Sequence, residues 1–218
     1  ALTLATPGPA RLTPPDVSEP QPTRNGPRDE LVLDGWWNFI PLAPGKKEFP
    51  PDGWGWMKVP GYFLGGEGDL VLPDGRRGSP GEPNQLLAKG PLFTGWCQRA
   101  FTIPATWKGK ELWLELDGVD GLAELYFNGK PIATLLPWED EAYRVGEFAR
   151  FGSPNTLTIA LNPLGQGFAT GFHGRVALRA SGPAFVRALA VTPRVSQRRI
   201  EFSAACVGAG DYTLELAV

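Results

Sequence analysis

Between residues 112 and 129 the side chains alternate with a period of two. Leu112, Leu114 and Leu116 are interleaved with Trp113, Glu115 and Asp117, and Ala123, Leu125 and Phe127 repeat the pattern. That period places one set of side chains on a buried face and the other toward solvent or a neighbour, so the stretch reads as strands. Asn128-Gly129 follows at once, two residues that tolerate positive φ in a tight hairpin turn, and Lys130-Pro131-Ile132 begins the return strand. Pro104 and Lys108-Gly109-Lys110 punctuate the connection ahead of the leucine strand. The alternation recurs at Leu157, Ile159 and Leu161, and again at Val176 and Leu178, with Arg175 and Arg179 facing outward. The 28 Gly and 23 Pro occur without a repeat, which suits many short strands and turns better than long helices. The expected fold class is all-β.

Residues 1–30 carry seven prolines among small and polar residues and read as an extended arm. Leu31-Val32-Leu33 gives the first strand, and Trp36, Trp37 and Phe39 follow as large apolar anchors. From 62 to 94 the chain is rich in Gly and Pro and reads as a long irregular connection, of a length that is uncommon without a function. Val145, Phe148 and Phe151, spaced by three, predict a short helical turn. Ser181-Gly182-Pro183 marks a boundary. Beyond it lie three strand patterns, Val186–Val191, Arg199–Ala204 and Tyr212–Val218, too few for a sandwich of their own.

Several function classes are disfavoured. Net charge is −2, from 21 basic and 23 acidic residues mixed along the chain, so nucleic acid and anionic membrane surfaces are not expected partners. No apolar run approaches the length of a membrane span. Cys97 and Cys206 are too few for a disulfide framework and read as thiols. His173 is the only histidine, no Cys/His cluster has zinc spacing, and Gly65-Gly66-Glu67-Gly68 is not followed by the helix that a phosphate-cradling loop requires. No cofactor, metal or catalytic residue is expected.

Trp96, Phe101-Thr102-Ile103-Pro104, Trp107-Lys108-Gly109-Lys110, Gly118-Val119-Asp120 and Ala123-Glu124 with Asn128-Gly129 form an ordered set. Leu33-Asp34-Gly35-Trp36 and Val59-Pro60-Gly61 precede it, and Asn155-Thr156-Leu157 and Gly171-Phe172-His173-Gly174-Arg175-Val176 follow. This order and spacing resembles the N-terminal sugar-binding, galactose-binding-like jelly-roll domain of glycoside hydrolase family 2, the family of β-galactosidases, β-glucuronidases and β-mannosidases. The resemblance implies a jelly-roll β-sandwich over 31–181 and, over 182–218, the opening strands of an immunoglobulin-like sandwich. It also implies a catalytic barrel elsewhere in a parent polypeptide that acts on β-glycosides. Glycoside hydrolysis usually needs two carboxylates about 5 to 10 Å apart. The resembled family carries its acid in an Asn-Glu dipeptide, and no asparagine here precedes a glutamate.

In that family the jelly roll lends polar side chains to the sugar subsite from two connections. Asn84 is the only asparagine in the first. In the second, Gly165 stands where some members carry an acidic residue, and Gln166 is the nearest polar side chain. Flat aromatic faces also bind sugars, and Trp54, Trp56 and Trp138 read as lying in connections, whereas Trp36, Trp96, Trp107 and Trp113 read as packing residues. The expected partners are a β-glycoside, met through the parent enzyme, and the parent's other domains. Three functions remain open: a non-catalytic domain of a glycosidase, a stand-alone carbohydrate-binding module, and a purely structural or interaction domain.

Overall fold

The computed structural model describes residues 15, 18–25, 28–46, 53–78, 81–87, 93–138, 141–165, 168–208 and 213, and it is an all-β sandwich. In chain order the strands are β1 Pro22–Asn25, β2 Arg28–Val32, β3 Gly35–Leu42, β4 Gly55–Val59, β5 Gly61–Leu64, β6 Leu70–Val71, β7 Thr94–Thr102 and β8 Glu111–Leu116. They continue as β9 Val119–Asp120, β10 Leu122–Phe127, β11 Lys130–Leu135, β12 Glu141–Arg144, β13 Pro154–Asn162, β14 Thr170–Phe172, β15 Val176–Ser181, β16 Phe185–Arg194 and β17 Arg199–Val207. One layer has five strands in the order β1-β2-β15-β8-β12, and the other has seven in the order β11-β10-β13-β7-β3-β4-β6. A three-stranded sheet, β5-β14-β9, lies at the rim, and β16-β17 is a separate two-stranded ribbon.

The alternation seen in the sequence sets the register. Leu112, Leu114 and Leu116 are buried and sit opposite Ala180, Leu178 and Val176, while Ala123, Leu125 and Phe127 sit opposite Leu161, Ile159 and Leu157. A slip of one residue in either pair would turn every one of these side chains to the wrong face. Between the layers Trp37, Phe39, Phe63, Phe127 and Phe172 are fully buried. Asn128 has φ 50° in the β10–β11 turn, and Gly129 follows at φ 78°. The turn is more than a reversal, because Asn128 donates to the carbonyl of Phe148 and to Asn155 Oδ1, and accepts from the Thr156 amide.

The structure corrects three expectations. Part of the presumed arm is ordered: Pro22–Asn25 pairs with Arg28–Leu31, and Arg99, buried at 4% exposure between Cys97 and Phe101, donates to the carbonyls of Trp36 and Ser18. Burial without a facing carboxylate lowers its pKa. The 62–94 connection is partly core, with Phe63, Leu64, Leu70 and Leu72 packed inside, because hydrophobic burial outweighs the turn-forming tendency of the glycines between them. The short helical turn expected around Val145, Phe148 and Phe151 is present as a single 3₁₀ turn at Gly146–Phe148, directly after β12 pairs with β8. Trp56 lies in β4 rather than in a connection. The strand pattern over Tyr212–Val218 lies outside the described residues apart from Thr213.

Candidate functional site

One end of the sandwich gathers most of the motifs. The middle strand of the rim sheet, β14, holds Gly171 opposite Tyr62 on one side and Asp120 on the other. A Cβ on Gly171 would stand 2.4 Å from the Gly61 carbonyl oxygen and 2.5 Å from Tyr62 Cα, so only glycine permits this approach. Across it the Tyr62 hydroxyl donates to the Asp120 carboxylate, and burial, then that hydrogen bond, push the Tyr62 pKa up to about 12. His173 Nδ1 stands 3.6 Å from Asp120 Oδ1, and its ring packs against Gly118, where a Cβ would lie 2.0 Å from Nε2.

The rest of the motif fastens this end to the core. Phe172 meets Trp37 with ring centroids 5.7 Å apart, and Trp37 Nε1 donates to the Leu33 carbonyl at 2.8 Å. Arg175 reaches Asp117 at 2.9 Å and Glu30 at 3.0 Å. The Val176 amide donates to Asp34 Oδ1 at 3.0 Å. Burial raises the Asp34 pKa, and the Val176 amide and Arg175 oppose the rise. The segments Leu33-Asp34-Gly35, Gly118-Val119-Asp120 and Gly171–Val176, far apart in sequence, are thus one interlocked unit. Gly171→Ala is expected to destabilise the protein by about 1 to 3 kcal/mol in denaturant melts, because the backbone of β5 must shift. A change within about 0.3 kcal/mol would show that β5 and β14 do not approach this closely.

The candidate residues divide into two groups. Asn84 is at the rim but only 2% exposed, and its amide donates to the carbonyls of Tyr62 and Gly68 at 2.7 and 2.8 Å, so its side chain shapes the loop. The same loop approaches the Gln166 connection, since a Cβ on Gly65 would lie 3.1 Å from Ala169 Cα; Gln166 itself lies outside the described residues. Trp138 is 68% exposed at φ 64°, and its backbone amide donates to the Val119 carbonyl at 2.9 Å, which holds the residue's backbone beside β9. Trp54 and Trp56 are elsewhere. Trp54 packs with Ile40, Trp96, Ala160, Leu42 and Tyr126 in a second cluster apart from the main core. Trp56, at 9% exposure, alternates with the core residue Met57 and so turns to the other side of the seven-stranded sheet.

Sequence reasoning gave no binding role to Tyr62, Asp120 or His173. Their closeness to one another, through Gly118-Val119-Asp120 and Gly171-Phe172-His173, depends on strand pairing that no local pattern reports. Leu136, Trp138, Leu164 and Phe168 are the exposed large apolar side chains outside the ribbon among the described residues. All four stand on connections at this end, where Ala123 pairs with Leu135 and Leu122 with Asn162. Hydroxyl, carboxylate and imidazole groups beside an exposed indole suit hydrogen bonding to a polar ligand and contact with its apolar face. No group of three or more His, Cys, Asp or Glu that could hold a metal occurs among the described residues.

No family model and no curated protein matches the sequence. Solved structures do match. A β-glucuronidase from Dictyoglomus thermophilum aligns over 85% of this chain and 34% of its own, with a TM-score of 0.62 and 15% identity. The Ruminococcus gnavus β-glucuronidase aligns over 89% and 36%, with a TM-score of 0.65 and 17% identity. One from an uncultured Clostridium sp. aligns over 85% and 35%, with a TM-score of 0.64 and 20% identity. At these identities the shared property is the fold. The chain spans about a third of the length of each of these enzymes.

Proposed function

We propose that the chain is the non-catalytic, sugar-binding-type jelly-roll domain of a family 2 glycoside hydrolase, supporting a catalytic barrel that acts on β-glycosides. The observation that carries this reading is the rim. Four exposed apolar side chains and the Tyr62, Asp120 and His173 set share the end from which the Asn84 loop also emerges. Exposed apolar groups clustered with polar ones mark an interaction surface rather than a solvated loop. The fold shared with a third of each β-glucuronidase supports the same assignment. In this reading residues 182–218 open an immunoglobulin-like domain. The ribbon favours that, because Leu189, Val191, Pro193, Ile200 and Phe202 alternate along its paired strands and the large apolar ones are exposed.

Trp138 is the rim residue best placed to meet a sugar or the barrel, and Asn84 acts by holding the shape of its loop. In the parent enzyme Trp138→Ala should raise the Michaelis constant for a nitrophenyl β-glycoside severalfold, with an unchanged melting profile. The isolated 218-residue chain should hydrolyse none of these substrates. Turnover by the purified chain above buffer background, or parent kinetics unaltered by Trp138→Ala, would overturn the reading. Glycan affinity in a polypeptide that ends at Val218 would favour the stand-alone module instead.

A further inference from the structure

We infer that a cleft on the outer face of the five-stranded sheet, roofed by the base of the ribbon, binds the vicinal hydroxyls of a neutral sugar. Trp113 and Glu115 on β8, and Arg179 and Ser181 on β15, are the side chains that alternate with the buried core residues of those strands. After Ser181 the chain turns, and β16 comes back over this face. Arg28 lies 4.9 Å from the centroid of the Phe185 ring and donates to the Val186 carbonyl, while Phe185 meets Trp113 edge-on at 6.1 Å. A cavity of about 110 Å³ remains beneath, bounded by Arg28, Trp113, Glu115, Arg179, Ser181 and Phe185.

Two observations point to an occupant. Ser181 is 2% exposed, and its hydroxyl has no hydrogen-bond partner among the described residues. A buried hydroxyl left unmatched is costly, and a ligand at the cavity wall would relieve that cost. The second is the set of groups around it. Arg179 Nε is paired with Glu115 Oε2 at 3.0 Å, which leaves the other Glu115 oxygen as an acceptor. Arg28 has no carboxylate within ion-pair distance among the described residues, so it retains donors beyond the one given to Val186. Burial raises the Glu115 pKa while Arg179, Arg28 and Arg175 pull it down.

A pair of neighbouring hydroxyls matches this arrangement. Each can accept from Arg28 or Ser181 and donate to Glu115, and Trp113 and Phe185 supply the apolar wall that a sugar's C–H groups need. Glu115 opposes an anion and the arginines oppose a cation, so a neutral ligand is favoured. The volume is several times the ~10–15 Å³ that one water needs and well under the roughly 300 Å³ of an ordinary small-molecule pocket. It therefore takes one edge of a terminal residue rather than a whole oligosaccharide. The site lies on the outer face of the five-stranded sheet, where Glu30 links its Arg179 to the Arg175 that fastens the rim, and it does not depend on the role proposed for the rim.

The test is an NMR titration of the full 218-residue chain with the methyl β-glycosides of glucose, galactose and mannose, up to about 50 mM, the range of weak affinities. At least one glycoside should shift the Trp113 indole N–H resonance in a saturable way. Ser181→Ala and Glu115→Gln should each weaken that binding by about tenfold or more, with spectra elsewhere unchanged. No saturable shift with any of the three, shifts confined to other tryptophans, or undiminished binding in both variants would overturn the inference. If either variant fails to fold, mapping on the unaltered chain alone decides: a saturable Trp113 shift supports the site, and its absence sinks it.

Discussion

Trp37→Ala is expected to cost about 3 to 5 kcal/mol of stability, the range for truncating a large buried aromatic side chain. Trp37 is fully buried, packs on Phe172 of the rim sheet, and hydrogen-bonds the Leu33 carbonyl through its indole. Three losses therefore fall together: the apolar contacts, the cavity left between the layers, and a buried carbonyl without its donor. Trp37→Phe separates them. It keeps most of the packing and should cost less, with roughly 1 kcal/mol from the lost hydrogen bond. Denaturant melts of the two variants give the comparison. A cost below about 1 kcal/mol for the alanine variant would mean that Trp37 does not bridge core and rim.

Asn155→Ala should cost roughly 2 to 4 kcal/mol, more than its small volume suggests, because several hydrogen-bond partners lose a counterpart at once. The Asn155 side chain is fully engaged. Its Oδ1 accepts from Asn128 Nδ2 and from the Arg150 amide, and its Nδ2 donates to the carbonyls of Arg150 and Ser153, all at 2.8 Å. Asn128 in turn holds the Phe148 carbonyl and the Thr156 amide. The pair locks the β10–β11 turn onto the start of β13. Asn155→Asp is the informative control, since it keeps the acceptor and loses both donors. Hydrogen exchange should report faster opening at Asn128–Gly129 and Arg150–Ser153 in both variants. Exchange at wild-type rates there would show that the two asparagines are not coupled.

Legibility from sequence followed the range of the interactions. The leucine strand, the Ala123–Phe127 strand and the Asn128-Gly129 turn are stabilised by neighbours a few residues away, so a period of two and a turn dipeptide identified them. The outward direction of Arg175 and Arg179 followed from the same period. The connection from 62 to 94 was misread because its composition is that of a loop. Only the packed sheets show that Phe63, Leu70 and Leu72 enter the core and that Asn84 closes its own loop.

By itself, then, the sequence determined the all-β class, the faces of the central strands and the set of motifs that carries the resemblance. These depend on side-chain period and local backbone preference, which every residue expresses without a partner. Tertiary structure alone decided the meeting of Tyr62, Asp120 and His173 across Gly171, and the separation of Trp138 at the rim from Trp54 and Trp56. It also decided the cleft between Ser181 and the ribbon. Each of these joins residues of distant strands through hydrogen-bonded register, steric exclusion at glycine or the fold-back of β16. Such pairings are set by which strands become neighbours, a property of the assembled sheets that no single stretch of chain contains.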